Sequence, residues 1–223
     1  MNQGDVVVVT GGSSGLGLAV VTALAKAGAV PVVLDVRPPP SGPEHVPVDL
    51  ADTAAEAAVD AVAARHGGLH AVVCAAGIDR CGALDAVPAE DWELVVRVNL
   101  FGTAAVVRAA LPHLARVVTV ASTLGLRALP DATAYCASKF GVVGFSRALA
   151  AEQAGRVGVT MLIPGGMSTA FFDDRPDQYR PGPDARLNAP EDVAEAVLFA
   201  LAQPAGCEVR ELVVCPSEEP SWP

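Results

Sequence analysis

Tyr135 and Lys139 stand four positions apart in "AYCASKF", residues 134–140. In a helix that spacing puts both side chains on one face. A phenol and an ammonium placed so can serve one reacting atom, the phenol moving a proton while the ammonium steadies its charged form. An unremarkable pair on a solvated face has the same spacing. The elements that must position these residues decide between the two.

Seven short β-branched runs, "DVVVVT", "AVPVVLD", "HVPVDL", "LHAVVCAAG", "RVVTVAS", "VGVTMLIP" and "RELVVC", alternate with alanine-rich segments near 15–28, 51–66, 88–111, 135–154 and 190–203 that read as helices. The runs are almost continuously apolar, which suits parallel strands covered on both faces. The pattern predicts a doubly wound α/β fold: a seven-stranded parallel sheet flanked by helices, in one domain over 1–223. No repeat or composition break divides the chain. The segment "DDRPDQYRPGPDARLNAP", 173–190, is the long stretch rich in Pro, Gly and charge. It reads as a lid over the site rather than an idle connection. Asp173 and Asp174 within it read as a solvated pair rather than metal ligands.

Between the first run and the first helix lies "TGGSSGLG", Thr10 to Gly17. That context is what a dinucleotide fingerprint requires: Gly11 for the turn, Gly15 for close approach to the pyrophosphate, and Gly17 for helix–sheet packing. Asp35 closes the second run, where a carboxylate binds both adenosine ribose hydroxyls and repels a 2′-phosphate.

With these motifs in order, the chain resembles the compact single-domain short-chain dehydrogenases/reductases over nearly its whole length. The family glycine pattern matches Thr10 to Gly17, its adenine-contacting Asp matches Asp49 in "VDL", and "VNLFG" puts Asn99 on its active-site asparagine. "VASTLG" puts Ser122 on the catalytic serine, thirteen residues before Tyr135, and "PGGMST" puts Thr169 on the threonine that holds the nicotinamide carboxamide. The resemblance implies a catalytic set of Asn99, Ser122, Tyr135 and Lys139. It implies cofactor contacts along Gly11, Ser13, Ser14, Gly15, Leu16, Gly17, Asp35, Asp49, Leu50, Ala75, Ala76, Gly77, Tyr135, Lys139, Pro164, Gly165, Met167 and Thr169. In that scheme Lys139 draws the Tyr135 pKa down and holds the nicotinamide ribose, Ser122 bonds the substrate oxygen, and Asn99 anchors a water relay.

The chain departs from the family at "CAAG", Cys74 to Gly77, where N-N-A-G is usual, and in its short tail "PSEEPSWP". The first departure questions local rigidity more than chemistry.

Composition narrows the rest. A formal charge of −10 with 15 Lys+Arg opposes nucleic-acid binding. Mean hydropathy is +0.41, yet uncharged apolar stretches fall short of the roughly 18 residues a membrane helix needs. The start "MNQGDVVVVT" has no basic leader region, so a cytoplasmic protein is expected. Five cysteines form no C-x-x-C pair and four histidines no ligand spacing, so neither disulfides nor a metal is expected, and Cys136 reads as a small buried hydrophobe.

The reading is an NAD(H)-dependent oxidoreductase interconverting a secondary alcohol and a ketone on a mainly apolar small substrate, with NADP the less favoured cofactor. The loops 78–84, 124–132 and 167–188 set the substrate, with Met167, Phe171 and Phe172 lining its pocket. A homodimer or homotetramer is expected through helices 99–111 and 135–152, where Phe140, Gly144, Ala148 and Ala151 make an uncharged stripe. An NADPH-dependent 3-oxoacyl reductase, favoured by Arg37, and a non-catalytic nucleotide-sensing or scaffold protein are the alternatives.

Overall fold

In the computed structural model, which describes residues 1–52 and 54–219, the valine-rich runs become the centre of the sheet. Thr53, inside the expected second helix, and residues 220–223 of the tail lie outside the described residues. The strands are β1 (Val6–Thr10), β2 (Val30–Asp35), β3 (Glu44–Pro47), β4 (Ala71–Cys74), β5 (Arg116–Val120), β6 (Gly158–Pro164) and β7 (Glu211–Val214). All pair in parallel, in the order β3-β2-β1-β4-β5-β6-β7. The seven-stranded doubly wound sheet is as expected.

Alternate residues of one strand reach opposite faces, and both faces are covered. Val8, Val32, Leu34 and Val72 face α2 (Ala54–His66) and α4 (Thr103–Ala110), packing with Val59, Val62, Val106 and Val107. Val7, Val9, Val33 and Val73 face α1 (Gly15–Lys26) and α6 (Pro190–Leu201), packing with Val20, Leu24, Val193 and Val197. Val7, Val8 and Val9 are all 0% exposed, which is why the first run has no polar alternation.

The expected helix 88–111 is present as one uninterrupted helix, made of α3 (Ala89–Val96), a π-helical turn Arg97–Gly102, and α4. The turn places Asn99 toward the sheet, and its carbonyl takes the Thr103 hydroxyl at 2.8 Å. Gly102 lets this helix approach Leu50, where a Cβ would sit 2.7 Å from the Leu50 Cβ. Ala89–His113 as a whole is long and apolar enough by composition to cross a membrane. Here it packs as a core helix, with Val95, Val98, Val106, Val107 and Ala110 buried. The remaining helix, α5 (Thr133–Glu152), carries Tyr135 and Lys139.

Candidate active site

Apart from the Asn99 turn and the start of α5, the segments singled out in the sequence leave the carboxyl ends of strands. The glycine loop follows β1, Asp35 ends β2, Asp49 and Leu50 follow β3, Ala75 to Gly77 follow β4, Ser122 follows β5, and Gly165 to Thr169 follow β6. The order reverses between β1 and β4, so their loops diverge to opposite sides and leave a crevice.

On the nucleotide side, Gly11 has φ of 67° and lies so near the next loop that a Cβ would come within 2.7 Å of the Ala76 Cα. A Cβ on Gly17 would strike the Gly11 carbonyl. Ser14 caps α1 in extended conformation without a side-chain hydrogen bond, and the first turn of α1 holds no acidic residue. The N–H groups there suit an external anion, so the cradle fits a dinucleotide. Thr169 closes it from the β6 side, its Cβ 3.5 Å from where a Gly15 side chain would begin. Asp35 accepts the backbone N–H of Ser13 at 3.1 Å and of Arg37 at 3.0 Å, which sets its carboxylate against the glycine loop. Asp49 is exposed, with its carboxylate bonded to the Ala51 N–H at 2.9 Å, while Leu50 is buried against Gly102.

The "CAAG" segment is braced without asparagines of its own. The Ala76 N–H donates to the Thr10 hydroxyl at 3.2 Å, and one residue past Gly77 the Ile78 N–H and C=O are both held by Asn99.

At the chemical end, Asn99 is 1% exposed, and its Nδ2 also donates to the Ser138 Oγ at 3.0 Å. Ser138 in turn donates to the Tyr135 carbonyl at 2.8 Å, joining the π-turn to the start of α5. Ser138 was absent from the sequence-based set; its place between Tyr135 and Lys139, buried on their helix, is the signal that pointed to it. Lys139 Nζ lies 5.6 Å from the Tyr135 ring centre and donates to the Val120 carbonyl at 2.9 Å. A Cβ on Gly77 would fall 3.5 Å from Asn99 Oδ1 and 3.6 Å from Lys139 Nζ, so the three converge. Ser122 Oγ accepts the Leu124 N–H at 3.1 Å and hydrogen-bonds the Tyr135 side chain.

The expected lowering of the Tyr135 pKa by Lys139 is not what the structure shows. Tyr135 keeps some exposed surface, but the dense protein around it pushes the phenol up to about 12, with the Ser122 hydrogen bond acting the other way. Lys139 is itself brought down to about 8 by burial, and its Nζ is committed to Val120. The i,i+4 pairing sets position, while burial governs the proton affinity of Tyr135.

The loop after β6 splits the three pocket candidates. Phe171 packs on Tyr135 with ring centres 5.8 Å apart, Phe172 packs edge-on to Phe171, and Met167 packs into the α1–α6 core. The segment expected as a lid is tied across the site by Arg175, whose guanidinium meets the Asp79 carboxylate at 2.6 Å. Neither residue was singled out in the sequence, because 96 positions separate them.

Comparison with known proteins agrees with this geometry. The sequence model of the family described as short chain dehydrogenase matches residues 5–180. A D-threitol dehydrogenase of Mycolicibacterium smegmatis is 33% identical over 91% of this chain and 88% of its own. A 3-oxoacyl-(acyl-carrier-protein) reductase, FabG, of Thermotoga maritima is 31% identical over 88% and 90%. Among solved structures, a short chain dehydrogenase from Burkholderia cenocepacia in complex with NADP superposes with TM-score 0.83 at 27% identity, covering 96% of this chain and 97% of that one.

Proposed function

The chain belongs to the short-chain dehydrogenase family and is an NAD(P)-dependent oxidoreductase of secondary alcohols and ketones; within that activity we propose that Tyr135 is the proton-transfer group and NAD the preferred cofactor. The grouping of Tyr135 with Ser122 and Lys139, and of Lys139 with Asn99 at Gly77, carries this reading.

The residues divide the work by position. Gly11 to Gly17, with Thr169 opposite, would hold the dinucleotide, and its nicotinamide supplies or accepts the hydride. Ser122 and Tyr135 hold the substrate oxygen. In the ketone direction the Tyr135 hydroxyl donates its proton to that oxygen, and in the alcohol direction it takes one back. Lys139 and Asn99 hold the surrounding framework through Val120, Ile78 and Ser138. Phe171, within the proposed substrate loop 167–188, offers an apolar wall.

The Asp35 carboxylate beside the glycine loop favours NAD, since a 2′-phosphate there meets a negative charge. Dimer or tetramer assembly through the helical segments 99–111 and 135–152 is supported by Phe101 and Phe140, 60% and 45% exposed, and by the open surface at Gly144. Five unpaired cysteines, Cys207 exposed among them, suit a cytoplasmic location, which cell fractionation would check. The deciding experiment follows reduced-cofactor formation by the purified protein, with NAD and with NADP, on a panel of secondary alcohols. No turnover with any alcohol, or turnover unchanged in Tyr135→Phe, overturns the reading.

A further inference from the structure

The Asp79–Arg175 pair is more deeply buried than the other ion pairs among the described residues, with side chains 3% and 16% exposed. Burying two charges generally costs more than their attraction returns, so stability alone is a poor reason for such a pair. Its surroundings suggest another. Asp79 lies just past Ile78, the residue clamped by Asn99, on the loop after β4. Arg175 lies on the loop after β6, its guanidinium 5.0 Å from the Phe171 ring centre and 4.7 Å from that of Phe172. Phe171 in turn packs on Tyr135.

We propose that Asp79 and Arg175 are positioning residues for the reaction at Tyr135: their ion pair clamps the Phe171 loop against the reacting ring and balances the field at its hydroxyl. This rests on Tyr135 being the proton-transfer group.

Hydrogen bonding leaves the pair's charges partly unquenched. Asp79 Oδ2 takes both Arg175 Nη2 and the Cys81 thiol, while Asp79 Oδ1 and Arg175 Nε are buried without partners among the described residues. Only the Phe171 ring, in contact with both Arg175 and the Tyr135 ring, stands between the pair and the phenol, and the two charges act on it in opposite directions, Asp79 holding its proton more firmly and Arg175 loosening it. The other groups facing the phenol are Ser122 from the loop after β5, and Lys139 and Cys136 from its own helix. Asp131, ahead of α5, acts on Cys81 beside Asp79. Removing one member of the pair leaves the other unopposed, so the two deletions act on Tyr135 with opposite sign.

The test uses Asp79→Asn, Arg175→Met, Arg175→Lys and the double variant Asp79→Asn/Arg175→Met. Tyr135 and Tyr179 are the only tyrosines, so in a Tyr179→Phe background the ultraviolet absorbance of the phenolate follows Tyr135 without turnover. Asp79→Asn should ionise at lower pH than the parent, Arg175→Met at higher pH, and the double variant near the parent. In steady-state assays with the holoenzyme, Arg175→Met and the double variant should raise KM for a bulky ketone roughly tenfold or more, as a loosened wall predicts. Arg175→Lys keeps the charge and should keep the titration, while raising KM part of the way. If Arg175→Met does not fold, the shift of Asp79→Asn against the parent still decides the effect of charge, and the raised KM of Arg175→Lys decides the clamp. Titrations of the two single deletions that coincide with the parent's, or move the same way, overturn the inference. Loss of activity in Tyr135→Phe with no shift between the pair's variants sinks this inference alone. Full activity in Tyr135→Phe sinks the underlying reading.

Discussion

Asn99 holds Ile78 by both of its backbone groups: the Ile78 N–H donates to Asn99 Oδ1 at 2.8 Å, and Asn99 Nδ2 donates to the Ile78 carbonyl at 2.9 Å. A side-chain amide used this way replaces the strand neighbour that the chain lacks once β4 ends at Cys74. It fixes the loop that presents Asp79 and fastens it, through Ser138, to the helix that presents Tyr135.

Asn99→Leu keeps the bulk and removes three hydrogen bonds, one buried and two part-buried. It should lower stability by on the order of 2–4 kcal/mol, the sum expected when buried polar groups lose their partners. Urea unfolding measures this. An unchanged midpoint would show that the clamp is not structural.

A phenol pushed up to about 12 is protonated at neutral pH. Ketone reduction therefore begins with its donor in place, whereas alcohol oxidation must first find the phenol deprotonated. Oxidation rates at saturating cofactor should climb with pH above about 7 while reduction rates do not. Tyr135→Phe should reduce turnover in both directions by about 10²-fold or more. Parallel pH profiles for the two directions in the wild type would contradict the assignment.

Lys139 is 4% exposed, with no carboxylate against its ammonium among the contacts described. Burial takes its pKa from 10.5 to about 8, so charging it is harder in the folded chain than in the unfolded one. The sign follows from linkage: the unfolded chain binds the proton more tightly, so this residue's contribution is full above about 10.5 and is lost as pH falls to about 8. At neutral pH, Lys139→Met should therefore raise stability by on the order of 1–2 kcal/mol, allowing for the lost bond to Val120, while abolishing turnover. A lower melting temperature in that variant would show that the lysine stabilises the fold.

Asp35 touches the glycine loop through the Ser13 N–H and the following turn through the Arg37 N–H. Asp35→Ser should narrow the preference for NAD over NADP by about 1–3 kcal/mol in kcat/KM, the scale of one close charge contact. A wild type that already prefers NADP would assign the site to Arg37 instead.

Phe140, Gly144, Ala148 and Ala151 are all exposed on α5, at spacings that keep them on one side. Light scattering on the eluting protein should give at least a dimer. Ala148→Glu should weaken the assembly tenfold or more by placing a charge in an apolar contact. A monomer at micromolar concentration would refute the inferred interface.

The sheet was legible because its signal is local: a strand buried on both faces must be apolar at every position, and Val7 to Val9 show this without reference to the rest of the chain. The glycine loop was legible for the same reason. A turn with positive φ at Gly11, and a helix that passes the Gly11 carbonyl at Gly17, exclude side chains whatever surrounds them. Tyr135 and Lys139 were legible because a helix brings i and i+4 together.

What lay hidden depends on elements meeting across the fold. The π-turn at Asn99 arises where its side chain leaves the helix for Ile78, and nothing in "RVNLFG" states that partner. The proton affinities of Tyr135 and Lys139 follow burial, which spacing cannot report, so the sequence suggested a lowered phenol where dense packing raises it. Asp79 and Arg175 become a pair only because the sheet brings the loops after β4 and β6 together. Chain proximity carries short-range sterics and periodicity, whereas desolvation and charge pairing are properties of the assembled interior.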